Sequence, residues 1–550
     1  MALNLGAAQL RGRVARWSRP ELALLVALLA AGFWLRFHAL AAGGFADDEI
    51  HKWLAANRYL HGDFGGDDLE HPMLMKALIA LCIAVLPKSV APEALTRLPN
   101  VLASTIAIWA VAQLGRRLYG KPAALIAAGI CALSAMVVGY SRIAKEDTLF
   151  ALFLTLALWC LAEARARASD GVCGSGLPTA SAPTPSRWEV LGAVFLGASF
   201  ASKYFVFTAA LIPLTYLAVR RGSAWRVPLR RWLLLSAIGL GTMLLLDWVV
   251  LFPSTLEYIH SYLAGDHLGD RAQSESYFFM GRLYDNLFLH LRGATPGYFH
   301  LVFAAVKFAP PTVLLCALGL AVAAARRGPS DRILLLWIGF MLAVTFFGAA
   351  KYARYFICLI PPFVLLAGMA AVWLAQRLRS SRAQLQALAG LAVVALGTEA
   401  FAAVSHEPHP RLYINAFGGG DAKVDWFFPH CDYFDAGVRE AVKRIAARAE
   451  PNAEVASETR WLVRYYAGVD GRRDLTDTSI VAGQACAHGR VCYVIVQNGR
   501  RYWHNQAALD RLAQQKPWST VQVGGHASVR IYRLAPGATL FPEPHIATRP

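Results

Sequence analysis

Long apolar runs, broken by short Arg-bearing segments, recur from residue 21 to residue 404 and then stop. A helix needs about 20 apolar residues to cross roughly 30 Å of hydrocarbon. On that measure the pattern predicts eleven crossings, at 21–42, 97–115, 123–140, 147–164, 188–202, 204–219, 232–252, 300–325, 333–350, 355–375 and 384–404. The first run reads as a retained anchor and not a cleaved signal peptide, because Arg36 and His38 separate it from the small residues that would form a cleavage site.

The stretch Met73 to Leu86 is too short to cross. It has about 14 residues, contains Lys76 and lies between Pro72 and Pro87, which predicts a helix on the membrane surface. With that stretch kept outside, the clusters Arg116, Arg117 and Lys121, then Arg165 and Arg167, then Arg220 to Arg231, then Arg326 to Arg332, then Arg377 to Arg382 all fall on the cytoplasmic side, as the positive-inside rule expects. The alternation predicts a cytoplasmic basic N-terminus (1–20), a membrane domain (21–404) and an extracytoplasmic tail (405–550) in the cell inner membrane. It also predicts that Asp47, Asp48 and Glu49, in a first outer loop (43–96), share one face with Asp147. A Gly/Ser/Pro-rich stretch (168–187) reads as a cytoplasmic linker, and 253–299 as a second outer loop containing Asp266, His267, Asp270 and Arg271.

Within the first loop, Ile50, Trp53, Leu54, Asn57 and Leu60 follow a helical period, predicting a helix on the membrane surface with Asp47 as its cap. An acid at a helix start needs no catalytic explanation, since orphan amides and the helix dipole already favour it. In the tail, helical spacing over Val438 to Ala447 and Ala507 to Ala513, and strand patterns over Arg490 to Gln497 and Ser528 to Leu534, predict a small α/β domain. The fold class is therefore an all-α polytopic membrane core followed by a soluble α/β domain.

Composition agrees with this class. Hydrophobic residues make up 56% of the 550 positions and mean hydropathy is +0.40, more than a soluble core needs. The formal charge of +18 comes largely from Arg clusters between apolar runs, a topological signal and not a nucleic-acid footprint. Of nine cysteines, Cys486 and Cys492 are spaced to close a short loop if the tail faces an oxidising compartment, leaving Cys431 unpaired or in competition.

The segments ADDEIHKWLAANRYLHGDF, EHPMLMKAL, RLPNVLAS, YSRIAKEDTLFALFLTLAL, SKYFVFT and KYARYFICLIPP, in that order over roughly residues 20 to 375, resemble the GT-C glycosyltransferases. These are relatives of the protein O-mannosyltransferases and the lipid A aminoarabinose transferases. The resemblance implies a GT-C core and transfer of a sugar from a polyprenyl-phosphate donor to a lipid, glycan or protein acceptor on the outer face. It matches the family's first-loop Asp-Glu pair to Asp48 and Glu49, and its second-loop Asp to Asp147. Met73 stands where the family often has a second Pro, and the tail has no counterpart of assigned function.

The chemistry fits that reading. A sugar phosphate already has a good leaving group, so the demanding step is activating the acceptor, for which one carboxylate with a raised pKa suffices. Asp48 is the candidate base, in an inverting reaction. The departing phosphate needs positive charge, and candidates beside Asp47 in the substrate site are His71, Lys76, Arg142, Lys203, Lys307, Lys351 and Arg354. Whether a divalent cation, Mg²⁺ or Mn²⁺ held by Asp47 and Asp48, takes part stays open. The rival reading is a transporter or flippase for lipid-linked sugars, but Asp247, Lys307 and Glu399 lie near span ends and the middles are almost free of charge.

Overall fold

The computed structural model describes residues 16–541 except 67, 173–184, 220–227, 265–275, 287–293, 348–350 and 482–483. The far N-terminus, the core of the predicted linker, Arg220, Arg221 and Arg226, and the loop residues Asp266, His267, Asp270 and Arg271 lie outside the described residues. Helix Glu146–Val172 extends into the segment read as linker.

Seven described helices are long and apolar enough to cross a membrane, or eight if Lys121–Leu133 and Ala135–Ser141, bent by 58°, count as one broken span. This is a multi-pass membrane protein. The other three expected crossings are shorter or interrupted helices, and local chemistry explains the breaks. In the run 300–325, the helix ends at Lys307 because Pro310 and Pro311 follow, and Ala309 before them is pushed to the extended conformation (ψ 146°). In 188–219, Lys203 is itself extended and interrupts the run. Met73–Val85 is a separate helix of 13 residues.

The helices sort by burial. Ala353–Ala375, Glu146–Arg167 and Pro92–Tyr119 form the interior, whereas Arg19–Phe37, Leu229–Leu246 and Ser381–Ser405 lie outside and expose Leu245, Phe401 and Val393. In a soluble protein such exposure marks a sticky patch. Around a membrane bundle it is the surface that meets lipid.

Two β units follow. A hairpin, β1 (Ser276–Phe279) and β2 (Arg282–Asp285), rises from the second loop. The tail holds β3 (Glu454–Ser457), β4 (Thr476–Thr478), β5 (Cys492–Gln497), β6 (Ser519–Val523) and β7 (His526–Leu534), in the order β4-β3-β5-β7-β6. β3 runs parallel to β4 and β5, while β7 is antiparallel to β5 and β6. Helices Val438–Arg448, Arg460–Val469 and Gln506–Ala513 complete the α/β unit, and Cys486 and Cys492 are joined in a disulfide.

The tail is not a detached module. Leu412, Ile414, Phe428, Cys431 and Phe434 belong to the core of the helical bundle, and the compact α/β unit starts at Val438. The predicted first-loop helix exists, as Asp47–Tyr59, but its apolar face does not lie on the membrane. Phe45 and Ile50 are built into the core of the tail with Val442, Leu462, Ile495 and Ile531, and Trp53 and Leu54 pack against them. Its opposite side sets Ala56 against Met75 and Ile79. Helical periodicity identifies an apolar face but not its partner.

Candidate active site

The chain enters the first-loop helix through Gly43 and Gly44, both at positive φ (83° and 75°). A Cβ on Gly44 would lie 2.8 Å from Arg439 Cβ and 2.9 Å from the Tyr466 hydroxyl, so the turn fits under the tail only as glycine. The N-cap is Ala46 and not Asp47. Glu49 reaches back to accept the Ala46 N–H (2.9 Å), which leaves Asp47 and Asp48 on the first turn.

Glu49 is wholly buried. Its oxygens accept from Arg97 Nε (2.9 Å) and Nη2 (2.6 Å) and from the Ala144 N–H (2.9 Å), while Arg97 also holds the carbonyls of Leu40, Ala42 and Gly44. Three residues on, Asn100 donates to the carbonyls of Ile143 and Lys145 (2.9 Å to the latter). The RLPN segment thus ties the Asp47 turn to the Lys145-Glu146-Asp147 turn, so that acids about 100 residues apart converge at one end of the bundle.

Asp48 keeps a third of its side chain exposed (34%) and forms a close ion pair with Lys145. Desolvation pushes its pKa upward, yet Lys145, then Arg354, Lys52 and His71, outweigh burial and hold the carboxyl well below the usual range. The expectation of a raised pKa at this position is therefore corrected: the sequence shows burial, but not the ring of cations that folding gathers. Asp147 meets Lys203 (2.5 Å) on Oδ1 and Arg354 Nε (3.8 Å) on Oδ2, and Oδ2 accepts no hydrogen bond from the described residues. Lys203 and Arg354 lie over the rings of Tyr355 and Tyr352, both at 4.2 Å, which restricts where the two cations point.

Beside this pair lies a second group. His71 Nδ1 is 2.6 Å from Asp68 Oδ1 and His71 Nε2 is 3.7 Å from Glu146 Oε2. Lys52 Nζ is 3.0 Å from Glu146 Oε1 and 3.6 Å from Asp68 Oδ2. Lys76 donates to the carbonyls of Asp68 (2.6 Å) and His71 (2.9 Å). The helix carrying Lys76 is capped by Asp247, which accepts the Met73 N–H at 2.8 Å.

The tail reaches the same place. Asp435 accepts the Asp47 N–H (3.0 Å) and is gripped by Arg500 (2.7 and 2.5 Å) and Gln497 (2.8 Å). Burial, with Asp435 and Asp48 adding and Arg500 and His51 opposing, pushes Asp47 up to about 6. Burial also pushes the nearby His430 down to about 3, so that it stays neutral.

Other expected residues are placed elsewhere. Lys307 is buried against Asp432 (2.7 Å) and the carbonyls of Arg411 and Tyr413, and Arg142 is paired with Glu407 (2.7 Å); both act as interior braces and not as free phosphate binders. Lys351 is buried, its N–H donates to Asn286, and burial pushes its ammonium down to about 8. Sequence reasoning did not assign Lys52, Asp68, Lys145, Glu146, Asp435 or Arg500 to the site. Lys52, Lys145 and Glu146 lie inside the segments that carry the resemblance and Asp68 between two of them; Asp435 and Arg500 carry no local signal.

The sequence leaves open whether Asp47 and Asp48 hold a divalent ion, and in the fold each carboxylate has a cation of the chain close by. Asp48 is taken by Lys145 and Asp47 is turned to the tail. The described His, Cys, Asp and Glu side chains that converge are Asp68, His71 and Glu146, with ligand atoms within 4.8 Å of one another. That group already has the Lys52 ammonium against two of its members, so the donor set does not fit a divalent ion.

Residues 70–250 match the family described as dolichyl-phosphate-mannose-protein mannosyltransferase. No curated protein matches the chain. Among solved structures, ArnT from Cupriavidus metallidurans bound to undecaprenyl phosphate aligns over 96% of this chain and 100% of its own, with TM-score 0.51 and 16% identity. Its apo state aligns over 93% and 97%, with TM-score 0.51 and 15% identity. The apo oligosaccharyltransferase of Archaeoglobus fulgidus aligns over 87% of this chain and 69% of its own, with TM-score 0.51 and 13% identity. The helical architecture shared with these structures over most of the chain is the GT-C fold.

Proposed function

We infer that the protein is a glycosyltransferase that takes a sugar from a polyprenyl-phosphate donor and passes it, with inversion, to an acceptor hydroxyl or amine at the outer face of the membrane. The observation that carries this reading is the solvent-reachable Asp48 carboxylate set among Lys145, Arg354 and Lys52 beside the Asp147–Lys203 pair. The undecaprenyl phosphate bound by the ArnT fold relative supports a donor of that class.

The residues divide the work by charge and access. Lys203 and Arg354, oriented over tyrosine rings, take the phosphate and stabilise the charge that grows on it as the sugar leaves. Asp48 accepts the acceptor's proton. In the free protein its cations make it a weak base; an arriving phosphate competes for those cations and raises its basicity, so base strength appears when the donor is bound. Glu49, inaccessible and fully engaged, positions the turn and exchanges no proton with substrate. Asp147 orients Lys203 and Arg354.

The transporter alternative gains nothing from the buried acids near span ends. Asp247 caps one helix, and Glu399 accepts the Ala309 N–H (3.0 Å) at the start of another.

The test is mass spectrometry of envelope glycolipids and glycoproteins from a deletion strain complemented with wild type or Asp48→Asn. Wild type should restore a sugar-bearing species, and Asp48→Asn should reduce its formation by roughly 10² to 10⁴ while undecaprenyl phosphate binding stays within a few fold. Full restoration by Asp48→Asn removes Asp48 from the mechanism.

A further inference from the structure

We propose that Lys52 is a built-in replacement for a divalent metal: its ammonium stands among Asp68, His71 and Glu146 where a bound cation would otherwise sit, so that the site works without one. The three side chains offer one imidazole nitrogen and two carboxylates within 4.8 Å of one another, a donor set suited to Mn²⁺ or Zn²⁺ in the absence of the lysine. Lys52 is wholly buried, 3.0 Å from Glu146, 3.6 Å from Asp68 and 3.4 Å from the Asp48 carbonyl. Lys76 adds a second ammonium 3.8 Å from Asp68. A divalent ion bound by these atoms would face two fixed, buried positive charges at close range.

The position of Lys52 follows from the helix. It lies four residues after Asp48 on the first-loop helix, so the turn that presents the base also presents the ammonium, on the same face. Burial disfavours its charge, but Asp68, Glu146 and Asp48 outweigh burial and favour the ammonium. The local charge is then complete from the chain. In their ordinary charge states, Asp47, Asp48, Asp68, Glu146 and Asp147 supply five negative charges against five positive ones from Lys52, Lys76, Lys145, Lys203 and Arg354, and the Lys52 ammonium is one of the charges that balance the acids. A tethered ammonium also cannot be lost to chelation, and its position is tied to that of Asp48.

The inference rests on the donor reading for its purpose but not for its geometry, and the experiment separates the two. Mn²⁺ is titrated into the purified full-length protein and bound ion is followed by loss of the free-ion electron paramagnetic resonance signal. In parallel, undecaprenyl phosphate binding is measured with and without EDTA. Wild type should show no stoichiometric Mn²⁺, and its lipid binding should be unchanged by EDTA. Lys52→Met should acquire one Mn²⁺ per chain and lose it again when His71→Ala is added. One equivalent of Mn²⁺ on wild type that disappears in His71→Ala overturns the proposal, as does a folded Lys52→Met that binds none. If Lys52→Met fails to fold, the wild-type comparison with His71→Ala decides. Failure of wild type to bind undecaprenyl phosphate under either condition would strike the donor reading and leave the Mn²⁺ result standing.

Discussion

Glu49 matches a family acid by resemblance but is buried as a brace, and substitution distinguishes the two roles by magnitude. Glu49→Ala removes the acceptor of two Arg97 donors and of the Ala46 and Ala144 N–H groups. Losing one partner of a buried ion pair costs about 3–5 kcal/mol, and each orphaned buried N–H about 1–3 kcal/mol. These costs overlap, because Arg97 keeps the carbonyls of Leu40, Ala42 and Gly44 and so retains part of its solvation. The expected loss is about 4–6 kcal/mol, or roughly 10³ to 10⁴ in the folding equilibrium at 1.4 kcal/mol per tenfold. Thermal melting of the purified protein in detergent should therefore fall by several degrees. The paired replacement Glu49→Leu with Arg97→Met should recover most of that loss, since apolar substitutes for both partners leave no stranded charge. Sugar transfer by Glu49→Ala, assayed below its melting point, should follow the folded fraction. A Glu49→Ala protein that melts like wild type yet transfers no sugar would refute the reasoning and return Glu49 to the chemistry.

Lys203→Ala or Arg354→Ala should weaken undecaprenyl phosphate binding by roughly tenfold or more, because a lost charge-assisted contact to phosphate is worth about 1.5–3 kcal/mol; unchanged binding by isothermal titration would remove them from the donor site. Asp47, with its folded pKa raised to about 6, contributes stability that is fully present below its unfolded value and lost as pH rises through about 6. Asp47→Asn, which stays neutral, should therefore melt higher than wild type at pH well above 6 and about equally in acid, and the same difference at all pH values would contradict the assignment. Reporters fused after Leu86 and after Ser405 should read outside and one after Arg117 inside; a cytoplasmic signal at Leu86 with an external one at Arg117 would overturn the predicted topology.

Run length and composition alone identified a multi-pass membrane protein, because hydrocarbon thickness imposes a length on any apolar helix and that length is visible in the chain. The tail helices at 438 and 507 and the strands ending at 497 and 534 were legible for a similar reason, their periodicity being local. The segment resemblance singled out Asp48 and Asp147. What folding alone decided is where side-chain charges and apolar faces find their partners. The sequence marks Ile50 and Trp53 as apolar but cannot say that the tail, some 400 residues on, covers them. Partial burial of Asp48 was foreseeable, while the direction of its pKa depended on Lys145 and Arg354 arriving from other elements. Lys307 and Arg142 looked like interfacial cations until Asp432 and Glu407 met them inside. Electrostatics within a site is a sum over distances, and distances between residues far apart in the chain exist only once the fold is closed.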